Sequence, residues 1–188
     1  MMDLSVCVCC NTGLASLAFS LVTVFSDFSE GYSMVKTSMS IAGSDKRMLC
    51  HIMTIRYALI NIWKEPIQAI LPQLKDVYNM SLKYGLIDNA VSAGMFHAYR
   101  ALFTGSLLKP LSKEVALFMH NLERHERRII HLSVVPIFNG ISCLRGRSSG
   151  SNYVDEFITE EHLAEALRNK ESTVCECMLA IKLMCLME

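Results

Sequence analysis

The sequence has few residues that break helices and no net charge. Its 188 residues include only four prolines and nine glycines, so long uninterrupted elements are favoured over a turn-rich sheet. Eighteen basic and eighteen acidic residues cancel, which leaves no overall field to attract a nucleic acid or an anionic membrane surface. The composition therefore predicts an all-α protein, and it gives no support to nucleic-acid binding.

The sequence also lacks the short motifs by which many enzymes are recognised. The stretch 43–47 has a glycine, a serine and a lysine, but it lacks the first glycine and the final Ser or Thr of a phosphate-binding loop. No protein-kinase motif and no G-x-S-x-G turn is present either. The chain is therefore predicted not to be an enzyme and to need no cofactor.

Eight cysteines are present, without the spacing of a disulfide framework or a zinc site: Cys7, Cys9, Cys10, Cys50, Cys143, Cys175, Cys177 and Cys185. On a helix, Cys175 and Cys177 point about 200° apart and cannot both bind one ion. Free buried thiols in a reducing, cytoplasmic protein are the favoured interpretation. An enzyme that uses a reactive thiol without a short motif stays an alternative.

The segment 4–25 carries no charged residue and has the length of a membrane span. It also contains several hydroxyl side chains and lacks flanking basic residues, because the first Lys or Arg is Lys36. We therefore expect a buried helix here. A membrane-attached protein held by this segment is the alternative.

Apolar periodicity predicts a succession of helices near 9–25, 29–42, 46–63, 66–84, 87–104, 107–124, 126–146, 159–169 and 171–187. Gly43-Ser44-Asp45 supplies a helix end and then an N-cap, while Gly85 and Gly105 can end the helices before them. Pro72 and Pro136 fall inside predicted helices, so a kink or a late helix start is expected at each.

The predicted helices divide into a scaffold and a shorter end segment. Residues 1–147 form the repeat-like part, the Gly/Ser-rich stretch 148–152 is expected to be a flexible linker, and 153–188 form a C-terminal helical segment. A weak internal echo relates 26–32 to 85–91, an offset of 59 residues, with small Gly31 and Ala90 at equivalent places. A small residue there would allow two helices to approach closely.

Two further sets of residues have ordinary structural interpretations. Gly13 and Gly94 lie in helical stretches and are expected to be close-packing sites. His120, His125 and His131 lie among charged residues, but their spacing does not match the i, i+4 pair of a helical zinc site. We expect a solvated junction between two helices and no metal site.

Several stretches resemble the helical, tetratricopeptide-like region of large multidomain signalling ATPases: 25–39, Trp63-Lys64-Glu65-Pro66, Tyr84 to Ala90, and Leu102 to Leu108. In those proteins the region follows an AAA-type ATPase domain, with protein kinase, histidine kinase or cyclase modules in the same chain. The resemblance implies antiparallel helix pairs in an irregular right-handed array. It also implies that this chain is a fragment of a larger signalling protein, whose ATPase module could be its partner.

Four aromatic residues at helical spacing are the candidate site residues: Trp63, Tyr78, Tyr99 and Phe103. Such residues belong first to a core and second to the floor of a groove that could bind a protein or peptide. The sequence therefore predicts a non-catalytic helical scaffold or regulatory interaction segment.

Overall fold

The computed structural model describes residues 4–124, 128–146 and Arg168, and it gives side-chain surroundings for most of them from Asn11 onward. Every regular element in this part of the chain is helical, which confirms the predicted all-α fold. The tetratricopeptide-like arrangement stays a prediction.

Seven α-helices lie in the described residues, and two short helical turns follow the third of them without a loop. The α-helices are α1 Leu4–Phe25, α2 Phe28–Ala42, α3 Lys46–Ile55, α4 Ile67–Lys83, α5 Ile87–Phe103, α6 Leu108–Arg124 and α7 Arg128–Leu144. A π-helical turn, Arg56–Ile60, and a 3-10 turn, Asn61–Trp63, continue from α3. The turn is π-helical because the Asn61 N–H donates to the Arg56 carbonyl, five residues earlier.

Most helix boundaries agree with the predicted ones to within two residues. Two do not, since α1 begins at Leu4 and the helix predicted for 46–63 is α-helical only as far as Ile55. The predicted helices 159–169 and 171–187 lie outside the described residues, apart from Arg168. The predicted linker lies outside them as well.

The two interior prolines do not delay their helices. Pro72 lies in α4, which already begins at Ile67, and Pro136 lies in α7, which begins at Arg128. Of the two expected outcomes, a late helix start is therefore excluded at both positions, and a kink stays a prediction. A proline inside a helix removes one backbone donor, but the packing of the apolar face against neighbouring helices can outweigh that loss.

Aspartate side chains cap the first turns of α2 and α3, and the sequence had indicated the cap of α3. Asp45 caps α3 by accepting hydrogen bonds from the Arg47 and Met48 N–H groups at 3.0 and 3.1 Å. Asp27 caps α2 in the same way through the Glu30 N–H at 3.0 Å. These caps satisfy backbone donors that the first turn of a helix leaves without partners.

α4 and α5 are each followed by a glycine that ends the helix. Gly85 and Gly105 have φ angles of 70° and 73°, a left-handed conformation that glycine adopts without steric cost. After α4, the Leu86 N–H donates to the Ser81 carbonyl at 2.9 Å and the Gly85 N–H donates to the Leu82 carbonyl at 3.1 Å. This is the Schellman arrangement, and it turns the chain within three residues.

The chain divides into two compact units, Met1–His97 and Ala98–Glu188. In the first unit, α1, α2, α3 and the π turn enclose one apolar cluster, whose buried members are Ala15, Ala18, Val22, Val35, Ala42, Met48, Ile52 and Ile60. A second cluster joins the π turn to α4 and α5 and contains Tyr57, Ala58, Ile70, Leu74, Val77 and Ala93. The π turn thus supplies side chains to both clusters.

α1 and α2 approach each other closely at Gly31. A Cβ atom added to Gly31 would lie 2.8 Å from the Ala18 carbonyl oxygen and 2.5 Å from Val22 Cγ2. The expectation that a small residue is needed here is confirmed. Gly13 differs, because a Cβ atom there would meet no atom of the described residues within 4 Å, so its assignment as a close-packing site was wrong.

Hydrogen bonds among Asn11, Ser38 and Met48 link α1, α2 and α3 inside the core. The Ser38 hydroxyl lies 2.8 Å from the Asn11 carbonyl and 2.9 Å from Asn11 Oδ1, while Asn11 Nδ2 lies 3.0 Å from Met48 Sδ. Asn11 and Ser38 are both buried. Because buried polar groups need partners, this group fixes how α1, α2 and α3 are placed along one another.

In the second unit, α6 and α7 pack as a pair. α6 buries Leu111, Val115, Phe118 and Leu122. α7 buries Val134, Ile137 and Ile141. Beyond the end of α7, Arg145 Nη1 donates to Ser112 Oγ at 2.9 Å, which ties the end of one helix to the start of the other.

Candidate interaction surface

Trp63 is a large exposed aromatic residue of the first unit. It follows the π turn at the end of the 3-10 turn, and 56% of it is exposed. Its ring lies 4.9 Å from the ring of Phe28, centroid to centroid, at 35°. Phe28 begins α2, so this contact joins the end of the α3 stretch to the turn between α1 and α2.

Phe25 lies at the other side of the same turn. It ends α1, is 70% exposed, and is separated from Phe28 by Ser26 and Asp27 alone. We refer to Phe25, Phe28 and Trp63 as the terminal patch. Large aromatic side chains left in solvent at one end of a helical hairpin are typical of a surface that another molecule covers.

The two residues that follow Trp63 make polar contacts with neighbouring side chains. The Tyr32 hydroxyl donates to Glu65 Oε1 at 2.6 Å, and Arg56 Nη2 lies 3.9 Å from the same oxygen. Lys64 Nζ donates to Ser29 Oγ at 2.9 Å. These contacts tie residues 64 and 65, which follow Trp63, to α2.

Cations also surround the Tyr32 ring. Lys36 Nζ lies 4.4 Å from its centroid, and the Arg56 guanidinium carbon lies 5.9 Å from it and 5.0 Å from the Tyr57 centroid. Cation–π attraction and the Glu65 contacts act together on Arg56. Tyr32, Arg56 and Glu65 thus restrain the residues that follow Trp63.

Asn61 is the first residue of the 3-10 turn and is fully buried. Arg56 Nε donates weakly to its Oδ1 at 3.4 Å, whereas Asn61 Nδ2 has no hydrogen-bond partner. Leaving a buried amide donor without a partner costs about 1 to 3 kcal/mol. Packing around the segment 56–63 must offset this cost. The geometry of the π turn and the 3-10 turn is therefore maintained by their surroundings.

The four predicted groove residues lie in different surroundings. Trp63 belongs to the terminal patch, and Tyr78 packs against the second apolar cluster. Tyr99 and Phe103 stack on one another in the second unit, with centroids 6.1 Å apart and Phe103 56% exposed. The sequence interpretation missed Phe25 and Phe28, although their position on either side of Ser26-Asp27, a helix end followed by an N-cap, was a usable signal.

Cys50 is the one described cysteine whose side-chain surroundings bear on the reactive-thiol alternative. Cys50 is a free, fully buried thiol, and burial raises its pKa above the ordinary 9.0, although Ser81 and Lys46 act in the opposite direction. A thiol in this state is a poor nucleophile. No three metal-ligating side chains come together among the described residues. His120 is exposed, whereas the side chains of His125 and His131 lie outside them.

The membrane alternative rested on the segment 4–25. Among the described residues, no helix combines the length and the apolar character that crossing a membrane requires. α1 is also not buried all round, since Ala15, Ala18 and Val22 face the core while Leu17 and Val24 are exposed. The expected buried helix is thus buried on one side only.

Comparison with protein-family models, with curated proteins and with solved structures found no match to this chain. The resemblance to signalling ATPases accordingly stays an expectation from the residues.

Proposed function

We propose that this chain is a helical scaffold that binds a protein or peptide partner through the terminal patch. The observation that carries the proposal is the exposure of Trp63, at 56%, on the ring of Phe28, together with that of Phe25, at 70%, three residues before Phe28. The hydrogen bond between Tyr32 and Glu65 ties the residues after Trp63 to α2. Tryptophan is enriched among residues that dominate binding energy. A side chain that is already held in place loses less conformational entropy when a partner arrives.

The regularity of the helices supports a scaffold built from helix pairs. α4, α5, α6 and α7 each contain 17 residues, and they begin at residues 67, 87, 108 and 128. The four buried positions of α4, which are 70, 74, 77 and 81, recur 41 residues later in α6 as 111, 115, 118 and 122. A period of 41 residues is closer to the ~40–47 of HEAT and armadillo repeats than to the ~34 of a tetratricopeptide repeat.

The rest of the proposal follows from the residues and their resemblance. The partner is a protein or peptide, with an ATPase module of the same parent chain as one form of it. The balance of 18 basic and 18 acidic residues favours neither nucleic acid nor a membrane surface. A reducing, cytoplasmic location suits the free thiol of Cys50 in the core.

Peptide selection from a displayed random library tests the proposal. Trp63 is the only tryptophan of the chain, so its fluorescence reports directly on the patch. We expect selected peptides to bind with micromolar affinity, to shift the Trp63 emission to shorter wavelength, and to lose at least tenfold in affinity with Phe25→Ala or Trp63→Ala.

Phe103→Ala is the matched control, because Phe103 is equally exposed but lies in the second unit. Its affinity should equal that of the wild type. Circular dichroism of each variant separates a lost surface from a lost fold. If Phe103→Ala abolished binding while Trp63→Ala did not, or if no peptide were selected, the assignment of the partner site to the terminal patch would be wrong.

A further inference from the structure

The two parts of the second unit carry opposite charges. Residues 98–147 include eight basic and three acidic residues, whereas residues 148–188 include three basic and eight acidic ones. Residues 1–97 include seven of each. The neutral composition of the chain therefore includes a separation of charge within the second unit, Ala98–Glu188. Opposite charges that are separated along one compact unit favour contact between its two parts.

Part of the positive charge lies on the outer face of α6. This helix buries its apolar side, and five exposed residues follow one another at helical spacing on the other side: Lys109, Lys113, Leu117, His120 and Arg124. We call these five residues the basic stripe. Leu117, which is 63% exposed, places an apolar side chain between the basic ones. The two acidic residues of α6, Glu114 and Glu123, occupy other positions of the helix.

The negative charge is concentrated in residues 155–165, which lie outside the described residues. This acidic segment, Asp-Glu-Phe-Ile-Thr-Glu-Glu-His-Leu-Ala-Glu, contains five acidic residues and no Lys or Arg. Along the segment, two acidic residues are followed by two large apolar residues and then by three more acidic residues. The basic stripe has the same order with the opposite sign, since two lysines are followed by Leu117 and then by His120 and Arg124. The two can therefore pair along their length in one direction, with charge on charge and apolar on apolar.

The end of α7 lies beside the start of the basic stripe. Arg145 Nη1 donates to Ser112 Oγ at 2.9 Å, and Ser112 precedes Lys113 in α6. Residues 146–154 connect Arg145 to the acidic segment, and an extended chain of this length spans about 30 Å. The basic stripe is about 22 Å long from Lys109 to Arg124. The whole stripe is thus within reach, and so short a connection gives the acidic segment a local concentration on the order of millimolar.

We propose that the acidic segment of this chain docks on the basic stripe of α6 and runs in the same direction as that helix. Asp155 and Glu156 then lie beside Lys109 and Lys113, and the apolar residues that follow them cover Leu117. A single exposed ion pair contributes little to stability, but several pairs and an apolar contact act together on a segment that is already tethered nearby. This inference is independent of the terminal patch, which lies in the first unit.

Zero-length cross-linking of the full chain tests which surface the acidic segment contacts. A carbodiimide joins a lysine amine to a carboxylate that touches it, and mass spectrometry identifies the joined peptides. We expect links from Lys109 or Lys113 to Asp155 or Glu156, within one copy of the chain and in a yield that does not depend on protein concentration. A mixture of isotope-labelled and unlabelled chains distinguishes links within a copy from links between copies. Links only between copies, or no link between these residues, would overturn the proposal.

Charge reversal tests whether the opposite charges hold the segment. In a Lys109→Glu, Lys113→Glu variant, like charges face one another, so hydrogen exchange at the amides of residues 155–165 should become at least tenfold faster than in the wild type. Adding Asp155→Lys and Glu156→Lys restores opposite charges in the reverse order. The variant with all four changes should therefore exchange at the wild-type rate.

Lys46→Glu, Lys83→Glu is the matched control, because both lysines are exposed and lie in the first unit. This variant should exchange like the wild type at residues 155–165, and circular dichroism of each variant shows whether its helices are kept. An acidic segment whose exchange does not respond to the reversal on α6, or responds equally to the control, would refute docking on the basic stripe. So would a variant with all four changes that exchanges as fast as the one with two.

Discussion

Replacing Gly31 with alanine tests the close contact between α1 and α2. The added Cβ would lie 2.8 Å from the Ala18 carbonyl oxygen, about 0.6 Å inside ordinary contact at 3.4 Å. Val22 Cγ2 can rotate away, but the carbonyl belongs to the backbone of α1, so the two helices must separate. Overpacking of this kind costs about 1 to 3 kcal/mol, and the higher helix propensity of alanine returns about 1 kcal/mol. We expect Gly31→Ala to lower the free energy of unfolding by about 1 kcal/mol.

Gly13→Ala is the matched comparison, since it makes the same chemical change in the middle of a neighbouring helix where the space is open. It should raise the free energy of unfolding by up to about 1 kcal/mol. Thermal unfolding followed by circular dichroism would separate the two midpoints by about 4 to 8 °C. If Gly31→Ala were as stable as Gly13→Ala, the described approach of α1 and α2 would be refuted.

Three further changes have defined outcomes. Ser26 has a φ angle of 55° at the end of α1, so Ser26→Gly should relieve strain and raise the urea midpoint by the equivalent of about 0.5 to 1 kcal/mol, and a lower midpoint would contradict this. Tyr32→Phe removes the 2.6 Å hydrogen bond to Glu65, and we expect a loss of about 1.5 to 3 kcal/mol that largely disappears in a Glu65→Ala background, which has no acceptor. Burial raises the pKa of Cys50, so its contribution to stability is present below pH 9.0 and is lost at higher pH as the unfolded chain ionises first. The free energy of unfolding in urea should therefore fall more between pH 8 and pH 10 in the wild type than in Cys50→Ala. Burial lowers the pKa of Arg100 to about 10, which has the opposite effect on stability, but this effect is common to both proteins. Equal losses of stability in the two proteins would contradict a raised pKa for Cys50.

Local signals predicted much of the fold. The Asp45 cap and the Gly85 and Gly105 helix ends could be predicted because each depends on residues within one turn of the chain. The period of apolar residues likewise located the helices, since one face of each had to be buried. The π turn 56–60 gave no such signal, because Arg-Tyr-Ala-Leu-Ile is also compatible with a regular α-helix.

The candidate surface was harder to predict, because its contacts join distant residues. Tyr32 and Glu65 are 33 residues apart, and periodicity within one helix does not specify which residue of another helix it meets. Trp63 and Tyr78 were grouped by helical spacing, yet Trp63 packs on Phe28 while Tyr78 joins the second apolar cluster. Helical spacing grouped these aromatic residues, but it could not assign their partners.

The π turn holds one residue more than the same stretch of regular α-helix. Because the Asn61 N–H donates to the carbonyl five residues earlier, Asn61 occupies the place that the residue four positions after Arg56 would have in an α-helix. Deleting one residue between Arg56 and Ile60 would therefore restore a regular helix and leave Trp63 near Phe28. The same deletion in the regular part of α3 would rotate the residues up to Trp63 by about 100°. The π turn is thus a point at which the chain can lose a residue without losing the contact between these two rings.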